Sequence, residues 1–215
     1  MLEQLSLNIH LHPDATFATF IGSAGPRLAA SSGVVWLQGL PGTGKSHLLQ
    51  ALCHSAENGL YLAGLSSLEP AVLGDLDHIT PLCLDDVDSV VGNPAWEVAL
   101  FERINAARDL GRTLVLASGH YPSDMDCYLP DLGSRLRAAL LIETGQLTDE
   151  EKVRWLTEQA DMRGFKLGEE SARFLLVRVS RDMHHLRDII VTLEGETLRQ
   201  QRVVSIPFLK TVFRL

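Results

Sequence analysis

The sequence predicts an α/β fold: a five-stranded parallel sheet wrapped by helices, followed by a small all-helical lid. Three observations carry this. Short apolar runs at 34–37, 60–63, 81–85, 113–118 and 138–143 alternate with helical patterns, which is how a parallel sheet with helical crossovers reads. A glycine-rich stretch, Gly39-Leu40-Pro41-Gly42-Thr43-Gly44-Lys45-Ser46, lies directly between the first of these runs and the helix-like His47-Leu48-Leu49-Gln50-Ala51-Leu52. After Gly145 the strand signals cease and the pattern becomes helical throughout.

Taken in order, residues 1–15 read as a tail. Leu5, Leu7 and Ile9 alternate with Ser6 and Asn8 until His12-Pro13-Asp14 breaks the pattern, so the segment suits a strand or a docking peptide. Residues 16–145 form the α/β domain. Between its third and fourth strands a helix is expected with Asn93 as cap and Pro94 in its first turn, burying Trp96, Leu100, Ile104 and Ala107 and ending at Gly111. Residues 146–215 form the lid, which opens on Thr148-Asp149-Glu150-Glu151, a capping box in which Thr148 and Glu151 satisfy each other's orphan amides. Helices are expected over 148–163, 169–179, 182–200 and 205–213. Met183, Leu186, Ile190 and Leu193 are spaced as the core stripe of the third.

A chain of 215 residues with 46% hydrophobic content can bury a core that needs no staples. Its three cysteines, Cys53, Cys83 and Cys127, fit neither a zinc site nor a disulfide framework, and are expected to be reduced and mostly buried. There is no basic n-region at the start and no apolar stretch of bilayer length. The expectation is therefore a cytoplasmic protein without a membrane partner. A net charge of −8 argues against DNA binding by this chain alone.

The glycine-rich stretch fits the G-x-x-x-x-G-K-[ST] pattern in the strand-then-helix context that the pattern requires. Its glycines let backbone amides close around a phosphate at a helix N-terminus, Lys45 neutralises phosphate charge, and Ser46 offers its hydroxyl to Mg²⁺. The residues expected around a bound ADP or ATP are Gly39, Pro41, Gly42, Thr43, Gly44, Lys45, Ser46 and His47. Leu82-Cys83-Leu84-Asp85-Asp86 is an apolar strand ending in paired carboxylates. Asp85 is placed beside Ser46 as the second protein contact to Mg²⁺, and Asp86 as the group that orients the attacking water. Asp88 is read as solvated.

With these pieces in order, the chain resembles the AAA+ module of the bacterial replication initiator DnaA and, more closely, the shorter Hda family of regulatory inactivators of DnaA. Thr16-Phe17-Ala18-Thr19-Phe20-Ile21-Gly22 resembles the linker that contacts adenine, which implies contacts from Phe17, Phe20 and Ile21. Leu116-Ala117-Ser118-Gly119-His120-Tyr121-Pro122 resembles the sensor 1 stretch, and Pro130-Asp131-Leu132-Gly133-Ser134-Arg135-Leu136 the segment that carries an arginine finger. In such modules the arginine, here Arg135, points toward the γ-phosphate of a neighbouring subunit. The plain alternative for Arg135 is a salt bridge with Asp131. Gln4-Leu5-Ser6-Leu7-Asn8-Ile9 resembles the peptide that docks on the sliding clamp, the β subunit of DNA polymerase III, so Gln4, Leu5, Leu7 and Ile9 are its expected contacts. The expectation, in line with the acidic charge, is a chain without the initiator's helix-turn-helix DNA-binding domain. The resemblance implies a clamp-held, nucleotide-loaded regulator of replication initiation that promotes hydrolysis of DnaA-bound ATP.

Two departures from the family pattern bear on this. Gly119 stands where sensor 1 of DnaA has an acid, which leaves Ser118 as the polar group within reach of a γ-phosphate. His184 falls where sensor 2 expects an arginine, with Arg181 and Arg187 nearby; a mostly neutral imidazole grips phosphate less firmly than a guanidinium. Whether ADP or ATP is the working ligand stays open, as does self-association. His184 and His185 are adjacent on a helix, so they diverge by about 100° and make a poor metal pair. Two competing functions remain: an autonomous AAA+ ATPase of helicase-loader or remodeller type, and a small-molecule kinase that would recruit Arg135 and Arg137.

Overall fold

In the computed structural model, which describes residues 11–200 and 203–214, with the side chains of His184 and Gln200 outside the description, the five apolar runs are five parallel strands. They are β1 (Val34–Gln38), β2 (Leu60–Leu62), β3 (Leu82–Leu84), β4 (Leu114–Ser118) and β5 (Leu140–Glu143). The helices are α1 (Ala24–Ala29), α2 (Lys45–His54), α3 (Pro94–Asp109), α4 (Pro130–Arg137), α5 (Asp149–Met162), α6 (Glu169–Arg178), α7 (Met183–Gln200) and α8 (Ile206–Phe213). The sheet order is β2-β3-β4-β1-β5, so β4 lies between the strand that leads into the glycine-rich loop and the strand that leads into Asp85.

Alternation along the strands sorts the core into two layers. Trp36, Leu82, Leu84, Leu114 and Leu116 face one side, where Trp96, Leu100, Ile104 and Ala107 of α3 cover them. Val35, Leu37, Cys83, Val115, Ala117 and Ile142 face the other, against Leu28 of α1 and Leu48, Leu49 and Leu52 of α2. Because both faces are covered, the strands carry almost no polar residue until their C-terminal ends. All three cysteines are free, with Cys53 and Cys83 buried and Cys127 half-buried. Asn93 caps α3 as expected, accepting from the amides of Ala95 and Trp96. Two helices were not expected from the sequence, α1 and α4. The first is six residues long and contains Gly25 and Pro26. The second has no side-chain cap of its own.

The chain divides into two compact units between Gly145 and Gln146. In the second, Thr148 and Glu151 form the capping box in both directions, at 3.2 and 2.8 Å. Leu186, Ile190 and Leu193 of α7 are buried together with Leu156, Ala172, Leu175 and Phe208, and Met183 is half-buried. No helix among the described residues is long and apolar enough to cross a membrane.

Candidate nucleotide-binding site

The C-terminal ends of β1, β3 and β4 bring the polar groups together, as ligands in open α/β sheets require. Gly39 leaves β1 with its amide bonded to the Ser118 carbonyl at 3.1 Å, and the loop then turns through Gly42 (φ 80°) and Gly44 (φ 92°) into α2. These left-handed conformations suit glycine. At Gly39 the demand is for space: a Cβ there would lie 1.8 Å from Thr144 Oγ1 and 2.6 Å from Thr43 Oγ1. Those two hydroxyls are hydrogen-bonded to each other at 2.6 Å, and Thr144 also donates to the Gln38 carbonyl at 3.1 Å. The residue after β5 therefore braces the loop from the neighbouring edge strand.

Lys45 is buried, and its Nζ donates to the Gly39 carbonyl at 2.8 Å and lies 3.5 Å from that of Leu40. The ammonium thus lies inside the loop, where the first turn of α2 supplies unpaired amides. Ser46 and His47 follow on the same turn. Pro41 is exposed at the loop tip, and Leu40 beside it is an exposed apolar side chain.

Asp85 directly follows β3 and is 1% exposed. Its Oδ2 accepts from the Tyr61 hydroxyl at 2.8 Å and its Oδ1 from the Asp86 amide at 3.1 Å. Burial and then the Asp85 charge push the Tyr61 phenol well above its ordinary value, while hydrogen bonding from Ser46 and Gln50 acts the other way. Tyr61, on β2, thus stands between Ser46 and Asp85; sequence reasoning did not single it out. Its only signal there was an aromatic hydroxyl in an otherwise apolar strand. Asp86 is exposed in a left-handed turn (φ 48°). Its carboxyl is raised, first by desolvation and then by the Asp85 carboxylate, with Lys45 opposing. Asp88 is not simply solvated. It is half-buried, and its Oδ1 is closed off from solvent without a hydrogen-bond partner among the described residues.

Ser118 is fully buried at the end of β4, where its Oγ accepts from the His120 amide at 3.0 Å. The same turn is held by Gln38 Nε2 donating to the Gly119 carbonyl and Trp36 Nε1 donating to that of His120. The linker runs over α2 and is fastened to it in three places. The Gln50 side chain accepts from the His12 amide at 2.8 Å, His54 Nε2 donates to the His12 carbonyl at 3.0 Å, and His47 Nε2 donates to the Thr16 carbonyl at 2.9 Å. Phe17 opens the short 3-10 turn Phe17–Thr19. The Phe20 ring lies against the loop, so that a Cβ on Gly44 would come within 2.8 Å of it, and it stands 5.8 Å from the His47 ring. Ile21 follows, half-buried.

Arg135 stands elsewhere on this unit, on α4. Its guanidinium lies over the Phe101 ring at 5.9 Å and forms no ion pair among the described residues; the pairing with Asp131 is not made. In the second unit, Arg181 is held by Asp149 at 2.8 Å and by the Leu176 carbonyl. His184 lies in the first turn of α7, and Arg187 is exposed one turn further on. Gln4, Leu5, Leu7 and Ile9 lie outside the described residues.

The residues present fit a nucleoside phosphate with Mg²⁺. The Lys45 ammonium lies inside the loop on the Gly39 carbonyl, the Ser46 hydroxyl is exposed in the next position, and the carboxylate of Asp85 is buried at the end of β3. No group of three or more His, Cys, Asp or Glu side chains among the described residues is arranged to hold a metal. Two protein oxygens, completed by phosphate and water, is how Mg²⁺ is commonly bound.

Comparison with known proteins agrees in both units. The model of the Hda lid domain matches residues 149–213. An uncharacterized protein of Haemophilus influenzae is 36% identical over 231 aligned positions, covering all of both chains. Domain III of the Thermotoga maritima replication initiation protein DnaA superposes with a TM-score of 0.77 at 20% identity, over 95% of this chain and 98% of that one. AMPPCP-bound DnaA from Aquifex aeolicus gives 0.69 at 22% identity, over 89% and 69%. The glycine-rich cradle with its paired carboxylates sits in a DnaA-like fold, and the helical unit after it matches the model of the Hda lid domain, so the chain is an Hda-like, DnaA-related AAA+ protein.

Proposed function

We propose that this DnaA-related regulator of replication, loaded with ADP or ATP and Mg²⁺, promotes hydrolysis of the ATP bound to DnaA while its own N-terminal segment is held on the DNA polymerase III sliding clamp. The observation that carries the reading is the contrast between two cations. Lys45 is buried and satisfied within its own loop, whereas Arg135, half-buried on α4, lies over the Phe101 ring and forms no ion pair among the described residues. A guanidinium so placed can stabilise charge developing on the γ-phosphate of a second protein. Gln4, Leu5, Leu7 and Ile9 supply the clamp contacts, a glutamine amide with alternating apolar side chains. A bound Mg²⁺ would neutralise phosphate charge. Around it, Lys45 and the loop amides hold the phosphates, Asp85 and Ser46 hold the metal, Phe17, Phe20 and Ile21 shape the base pocket, and Ser118 reports on the γ-phosphate. Asp86 is the group positioned to orient water in this chain's own site.

The test is hydrolysis of DnaA-bound ATP by DnaA mixed with this protein, with and without clamp loaded on DNA, for wild type, Gln4→Ala and Arg135→Ala. Clamp-dependent stimulation that disappears in both variants is the expected result. Steady ATP turnover by this protein alone, with no effect on DnaA, would replace the reading with that of an autonomous ATPase.

A further inference from the structure

Glu97 is an acid that the nucleotide site does not use. It lies in the first turn of α3, is 0% exposed, and forms no ion pair among the described residues. Three backbone amides satisfy it instead. Oε1 accepts from Gly92 at 2.7 Å and from Tyr128 at 3.0 Å, and Oε2 from Leu129 at 2.6 Å. A buried carboxylate persists only with such compensation, and hydrogen bonds to an ionised acceptor are the strong kind.

Two of these three amides belong to the approach to α4. Leu129 is the N-cap residue of that helix, and its leucine side chain cannot cap. Glu97, 32 residues away in sequence, takes the N-cap amide much as the glutamate of a capping box would, and sets a negative charge near the positive end of the helix. With eight residues, α4 is too short to be stable or directed by itself. One turn along the same face of α3 stands Phe101, whose ring underlies the Arg135 guanidinium at 5.9 Å. The two residues thus fix α4 at two points: Glu97 holds its beginning, and Phe101 supports the cation it carries.

We infer that Glu97 is a positioning residue for Arg135: by gripping the amides of Tyr128 and Leu129 it sets the angle at which α4 presents the guanidinium to a partner's nucleotide. The inference rests on the reading of Arg135 given above. Glu97→Gln is the discriminating change, because it preserves size while turning one acceptor into a donor that faces an amide. At saturating protein, the maximal rate of hydrolysis of DnaA-bound ATP should fall about ten- to a hundred-fold, the scale of a small misplacement of a catalytic group. The concentration giving half-maximal stimulation, and the chain's own affinity for ADP, should stay as in wild type. In an Arg135→Ala background, Glu97→Gln should cost nothing more, because the two act as one unit. A further loss in that background, or an equal loss of ADP affinity, would make Glu97 a general stabiliser and overturn the inference. If Arg135→Ala alone leaves the rate intact, the reading of Arg135 fails and the inference with it; if Arg135→Ala abolishes stimulation and Glu97→Gln does not reduce it, only the inference fails. Hydrogen exchange on the wild-type chain needs no variant: the Leu129 and Tyr128 amides should be protected although they lie outside any helical ladder, and exchange as fast as in the exposed neighbouring loop would also overturn it.

Discussion

The loop over 39–46 and the helix α4 are both assigned to phosphate chemistry, yet they are built in opposite ways. The loop faces inward: its own glycines make its turns, and its cation is bonded to its own carbonyls. The helix is non-local and outward: its start is held by a carboxylate from α3, and its cation has no charged partner among the described residues. The difference teaches how to tell for whom a cation works. A lysine that a loop encloses serves that loop's own ligand, whereas an arginine set on a short, externally braced helix is available to a neighbour.

The sharpest way to break this comparison is Arg135→Ala. Stimulation of DnaA-bound ATP hydrolysis should drop by about 10³-fold or more, with ADP affinity of this chain unchanged in a calorimetric titration; a fall in ADP affinity would make Arg135 a residue of its own site. Lys45→Ala should do the converse, weakening ADP binding about 10- to 100-fold, as expected for loss of charge-assisted contacts worth roughly 1.5–3 kcal/mol. Gly39→Ala probes the packing behind the loop. Its Cβ would require Thr144 and Thr43 to move, so a loss of about 1–3 kcal/mol in urea unfolding is expected, and Thr144→Ala should recover part of it.

The smallest effect concerns Asp86. Its folded-state carboxyl is raised, so it favours the folded state below the ordinary carboxylate range and loses that contribution as pH rises through its folded value. Asp86→Asn should therefore raise the melting temperature slightly near pH 7 and leave it unchanged near pH 3; a rise of equal size at both would point to a cause other than charge. Relief of that repulsion would come at the cost of the group proposed to orient water.

What the sequence made legible follows the same division. The strands, the glycine-rich turn, the Asn93 cap and the Thr148 and Glu151 box are all specified by residues within a few positions of one another, and pattern suffices for these. The helix α4 escaped because its cap comes from Glu97, far away in the chain, and because Gly133 lies near its middle. The brace of Thr43 by Thr144 and the place of Tyr61 beside Asp85 depend on contacts 101 and 24 residues apart. Asp88 looked like a solvated loop acid because nothing nearby in sequence foretold that one of its oxygens would be closed off. Burial of a polar atom is a property of the packed sheet and helices together, and no local window contains it.

The fastening of His12 to α2 has a consequence of reach. Its amide and carbonyl are both anchored on the helix that begins with Lys45, and His12 is the third residue after Ile9, the last position of the amino-terminal peptide. Three residues span at most about 10 Å. Anything that grips Ile9 is therefore tied to α2 by a span shorter than that ten-residue helix is long.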